Sequence, residues 1–118
     1  GRCAAGMKEA WREGFEHFNA GRYWDSHEAL EDFWLEANGD ERHLLAGLIL
    51  LAAALHKARA MASARGGRRN YAKALAHLAL LPDEVAGLKL RDLEAAVHQA
   101  LRDPALQPQL PLGGASGG

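Results

Sequence analysis

A chain of 118 residues fits one domain with one hydrophobic core. With 48% apolar and 25% charged residues, the balance is globular and not that of a disordered chain. A formal net charge of −1 argues against a nucleic-acid partner, and a single cysteine excludes an internal disulfide framework.

Residues 1–6 read as an unstructured leader containing Cys3, with no apolar stretch of the kind a secretory signal carries. The first helix is expected over Met7–Phe18. Met7, Trp11, Gly14, Phe15 and Phe18 fall on one stripe, and Lys8, Glu9, Arg12, Glu13 and Glu16 face away. Asn19-Ala20-Gly21 ends it, with Gly21 suited to a left-handed cap. The second helix is expected over Trp24–Ala37, where Asp25 and Glu28 have the spacing of a capping box. Asn38-Gly39-Asp40 is a stop and turn.

The third helix begins near Glu41 and is expected to reach Ala64, broken by Gly66-Gly67. Its centre, Leu44 to Leu55, is apolar all round and reads as the core helix. The run is shorter than the roughly 20 residues a membrane span requires, so the expected location is the cytoplasm. Arg65, Arg68 and Arg69, flanking the two glycines, read as a solvated loop. The fourth helix is expected over Asn70–Leu81, with Tyr71, Ala74, Leu75 and Leu78 inward, stopped by Pro82. A connector runs to Lys89. The fifth helix covers Leu90–Arg102, with Leu90, Leu93, Val97 and Leu101 inward. No strand pattern is visible. The expected fold is therefore all-α: a compact five-helix bundle of antiparallel hairpins around a central apolar helix. It occupies residues 7–102, followed by a flexible Pro/Gly-rich tail over 103–118.

The informative cluster lies on the second helix. On a helical wheel Trp24, His27, Leu30, Glu31, Trp34 and Leu35 share one face, with Glu28 at its edge. A carboxylate among tryptophans requires a partner, and His27 and Glu31, four residues apart, have the spacing to pair. Folding the third helix back across the tight turn brings Trp24 near His56, about one turn from His27. The small residues Ala52 and Ala53 leave room for a polar pocket there.

Three readings follow. The first is a satisfied structural network in which His27 bonds Glu31. The second is a ligand or metal site of His27, Glu31 and His56, a donor set suited to zinc or iron. The third is a partner-binding surface anchored by the aromatics. The specific metal motifs fail: residues 27–31 read H-E-x-x-E where the zinc protease motif needs a second histidine, and no Glu-x-x-His pair is present. His17, His43, His77 and His98 read as surface or flanking histidines.

The stretch from Phe18 to Trp34, containing Gly21, Tyr23-Trp24, His27-Glu28 and Leu30-Glu31, resembles the signature of the domain of unknown function 309 family. The Leu45-Ala46-Gly47-Leu48-Ile49 run matches a second element of that pattern, and the resemblance spans roughly residues 8–101. It implies a compact helical protein with no established activity. The shared positions fall on Tyr23, Trp24, His27, Glu28, Glu31 and Trp34. The pattern carries glutamines where this chain has Ala46 and Leu50, which removes two amides from the third helix and shifts weight to the structural reading. The function expected is thus a non-catalytic structural or interaction module, whose partner is another protein or a second copy. The alternative is a metal-assisted hydrolase or small-ligand-binding protein using the pocket between the second and third helices. A divalent metal is the cofactor that alternative would take, and it is not the favoured one.

Overall fold

The structure, a computed structural model, describes residues 9–112. A 3-10 turn, Glu9–Trp11, leads into α1, Arg12–Asn19. Trp11, Phe15 and Phe18 bury the expected stripe; Met7, Lys8 and Cys3 lie outside the described residues. The chain leaves α1 through Gly21 at φ +83°, with Gly21 N bonding Phe18 O and Arg22 N bonding His17 O. That pair of bonds is the Schellman arrangement, and it satisfies carbonyls that the helix end leaves open.

Helix α2, Tyr23–Glu36, starts one residue before the expected position, and no side chain caps its first turn. The Asp25/Glu28 capping box is therefore not formed. Its buried stripe is Tyr23, Ser26 and Leu30, rotated by one residue from the stripe of tryptophans. Packing against α1 decides this rotation. Gly14 lets α2 approach so closely that a Cβ there would lie 2.7 Å from the Leu30 side chain. The Ser26 hydroxyl, fully buried, donates to Gly14 O at 2.8 Å in the same contact.

Helix α3, Gly39–Arg59, is central as expected: ten of its residues between Leu44 and Leu55 are buried, and it packs on α2 and on both later helices. Acidic Asp40 and Glu41 in its first turn and basic His56, Lys57 and Arg59 in its last complement the helix dipole. At Gly47 a Cβ would come within 2.6 Å of Leu78 Cγ, so the Leu78 side chain of the following helix lies directly on the α3 backbone.

The end of α3 corrects the sequence expectation. The chain turns at Ala60–Ser63, with Ala62 at φ +51°, and α4 spans Ala64–Leu78. Gly66 and Gly67 lie inside α4 instead of breaking α3. Both are needed for space. A Cβ on Gly67 would meet Ala54 O at 3.1 Å and Ala58 Cβ at 3.2 Å; one on Gly66 would crowd the Ser63 hydroxyl that accepts from Gly66 N. The connector after α4 holds a second surprise, a small antiparallel hairpin of β1, Glu84–Val85, and β2, Leu88–Lys89, turning at Ala86 (φ +54°) and Gly87 (φ +82°). Two positive φ values match the tight turn that a twisted two-residue hairpin loop favours. Helix α5 runs over Leu90–Arg102, as expected, with Leu90, Leu93, Val97 and Ala100 buried.

Residues 103–112, expected as the start of a flexible tail, instead pack across α1. Leu110 is 2% exposed, Asn19 Nδ2 donates to Leu110 O at 2.9 Å, and Arg12 Nη2 donates to Leu112 O at 2.9 Å. Arg59 holds the same segment to the end of α5, donating to Ala100 O at 3.0 Å, to Asp103 O at 3.4 Å and to Leu106 O. No helix among the described residues is long and apolar enough to cross a membrane.

Candidate functional site

The seven residues singled out from the sequence separate into four places. Tyr23 belongs to the core. Its ring meets Phe18 edge-on at 5.3 Å, and its hydroxyl accepts from Arg59 Nη1 at 3.3 Å. Burial raises its pKa, and the Arg59 charge opposes that only in part. Glu28 is exposed and faces the α1 side, in a groove of about 620 Å³ that also carries Glu13, His17, Asp25 and Asp32.

Trp24, His27 and His56 form a ring stack. Trp24 lies nearly parallel to His27, 4.6 Å between centroids and 18° between planes. It meets His56 of α3 at 5.2 Å and 40°. The antiparallel α2–α3 hairpin produces this contact, because α2 begins where α3 ends. Trp24 nonetheless remains 47% exposed. One turn further along α2, Glu31 and Trp34 line a separate groove of about 230 Å³ with Ala46, Ile49, Leu50 and His77.

The expected His27–Glu31 pair is not made. His27 Nδ1 is buried and has no hydrogen-bond partner among the described residues. The His27 ring is committed to Trp24, whereas Glu31 faces the next groove. The cluster is also less buried than expected: His27 and Glu31 are half-buried, and Ser26 is the buried polar side chain of this helix. Among the described residues, no three His, Cys, Asp or Glu side chains gather in an arrangement that could hold a metal ion. His27, Glu31 and His56 therefore share no metal-sized centre.

Sequence reasoning missed several neighbours of this face. Arg42 stacks over Trp34, 4.3 Å from the ring centroid, and donates to Trp34 O and Ala37 O at the end of α2. His43 and His77, read as flanking histidines, meet Nδ1 to Nδ1 at 3.1 Å and join α3 to α4. Such pairs span 34 residues or bridge a turn, so no local spacing marks them.

Comparison with known proteins agrees with this fold. A family model described as a domain of unknown function (DUF309) matches residues 11–75. The chain is 45% identical to a conserved hypothetical protein of Thermus thermophilus whose crystal structure is known. The match covers 81% of this chain and 99% of that one, with a TM-score of 0.71. None of the curated proteins matches. The matched region contains α1, α2, α3 and most of α4, including the whole Trp24 stack, and the chain belongs to the domain of unknown function 309 family.

Proposed function

We propose that this chain is a helical interaction module that engages a protein partner through the α2–α3 face centred on Trp24. The observation that carries the proposal is the state of Trp24: half exposed, yet held by His27 and His56. A large aromatic already fixed in one orientation loses little freedom on binding and removes much apolar surface from water. Leu35, 60% exposed on the same helix, and the adjoining groove beside Trp34 extend the apolar character of the surface.

The test compares wild type, Trp24→Ala and Trp24→Phe by affinity capture from the source cells, with sedimentation velocity for self-association. A protein, or a second copy, that binds wild type and Trp24→Phe and falls about tenfold or more in Trp24→Ala supports the proposal. That fall corresponds to about 1.4 kcal/mol. Equal recovery by all three overturns it. Thermal melts of the three proteins separate lost binding from lost folding.

A second reading, a small-ligand site at the same stack, has one specific support: the unpartnered, buried His27 Nδ1. Thermal melts with a panel of small aromatic and anionic ligands give its check: stabilisation of wild type that disappears in His27→Ala favours it, and no stabilisation, or stabilisation unaffected by that substitution, removes it.

A further inference from the structure

The arginines among the described residues divide into two groups. Arg12, Arg22, Arg42, Arg59 and Arg91 are each engaged by a carboxylate, a histidine nitrogen, a backbone carbonyl or an aromatic ring. Arg65, Arg68, Arg69 and Arg102 are all exposed, and none has a hydrogen-bond or ion-pair partner among the described residues. All four lie at one end of the molecule, where α4 begins and α5 ends. Arg65, Arg68 and Arg69 span about 100° of the α4 wheel, so they form one face and not a loop. Helix stability does not account for them, since cations oppose the positive end of the dipole. The first turn of α4 contains no acidic residue to offset this.

Between these helices runs a groove of about 360 Å³, with Arg68 on one wall and Arg102 on the other. That volume falls within the range of about 300–1,000 Å³ of small-molecule sites. Its lining is otherwise the methyl groups of Ala58 and Ala64, the side chain of Leu101, and the rings of Tyr71 and His98, 5.6 Å apart. The Tyr71 hydroxyl is committed to Glu94 O at 2.9 Å, which leaves the His98 imidazole as the polar side chain of the groove besides the two guanidiniums. No carboxylate lines the groove. An apolar floor between two unneutralised guanidiniums suits a ligand with an apolar body and one planar anionic head.

We propose that the α4–α5 groove binds a single-chain carboxylate amphiphile, a fatty acid. The chain lies along Ala58, Leu101 and Tyr71, and the carboxylate lies between Arg68 and Arg102. Guanidinium is the side chain best shaped for a planar carboxylate. Gly67 lets α4 pack closely on α3 beside the groove, since a Cβ there would lie 3.1 Å from Ala54 O and 3.2 Å from Ala58 Cβ.

The probe is dodecanoate below its micelle concentration, followed by amide chemical shifts of the full chain. The expected result is saturation of one site with Kd below about 1 mM, and shifts confined to Ala58, Arg68, Tyr71, His98, Leu101 and Arg102. The double variant Arg68→Gln/Arg102→Gln is expected to weaken binding at least tenfold with an unchanged melting temperature, as both side chains are exposed. Failure to saturate, shifts on the Trp24 face, or undiminished binding by the double variant overturns the proposal. So does inorganic phosphate or dodecyl maltoside binding as tightly as dodecanoate, since either shows that head and chain are not recognised together. The Trp24 proposal involves another face and stands or falls separately.

Discussion

Glu94 on α5 has a side chain only 15% exposed, with Arg91 Nη2 at 3.0 Å. Burial raises its pKa above the ordinary 4.5; Arg91 pulls it down, and Asp83 pushes it further up. A carboxyl with a raised folded pKa binds its proton more tightly in the folded state. Its contribution to stability is complete below the unfolded value and is lost as pH rises through the folded one. Glu94→Gln resembles the protonated form at every pH. Urea melts at pH 4 and pH 7 are therefore expected to show the variant gaining on wild type as pH rises. A shift in the other direction would mean that the Arg91 bridge outweighs burial. The same scale explains the unmade His27–Glu31 bond. A spacing of four brings two side chains within reach, but ring stacking on Trp24 and the groove beside Trp34 draw them apart.

At the scale of elements, the third and fourth helices give the most informative contrast. The end of α3 turns on Ala62, a left-handed residue with a Cβ, while two glycines sit inside α4. Ala62→Gly removes a steric cost of about 1–2 kcal/mol, partly offset by the greater entropy of glycine in the unfolded chain. A net gain of about 0.5–1 kcal/mol in denaturant melts is expected. Gly67→Ala, which would raise helix propensity, is expected to destabilise instead, because Ala54 O and Ala58 leave no space. A stabilised Gly67→Ala protein would refute the close α3–α4 contact. The same contrast separates what is legible in the sequence from what is not. The limits of α5 follow from local signals around Leu90 and Arg102, and the central role of α3 from apolar residues on every side. The α3–α4 boundary is misread because glycine breaks helices by propensity and also permits close helix contact. Only the neighbouring α3 distinguishes the two. The stripe on α2 is misread by one residue for a related reason: Gly14 invites Ser26 and Leu30 inward, leaving the tryptophans at the rim.

For the whole molecule, charge is separated although the total is near zero. Glu13, Asp25, Glu28 and Asp32 line the α1–α2 groove, and the arginines without a partner among the described residues occupy the α4–α5 end. The core between them is closed by the final described segment. Leu110 joins the same buried cluster as Leu88 and Leu93, and the Asn19 side chain bonds the Leu110 backbone as a neighbouring strand would. This segment ties α1 to the stretch after α5, across 91 residues. Pro108 and Pro111 are compatible with it because both lack an N–H and the segment is extended, not helical. A proline-rich sequence thus reads as a tail when its partner is a side chain on α1. Leu110→Ala is expected to cost about 2–3 kcal/mol, toward the lower end of buried leucine truncations because the site lies at the edge of the core. Hydrogen exchange gives the sharper check. If residues 103–112 close the core, the variant should lose amide protection in α1 and around Leu88 while the centre of α3 keeps its own. Unchanged protection in α1, with stability reduced by less than about 0.5 kcal/mol, would show that the segment rests on the surface without supporting it.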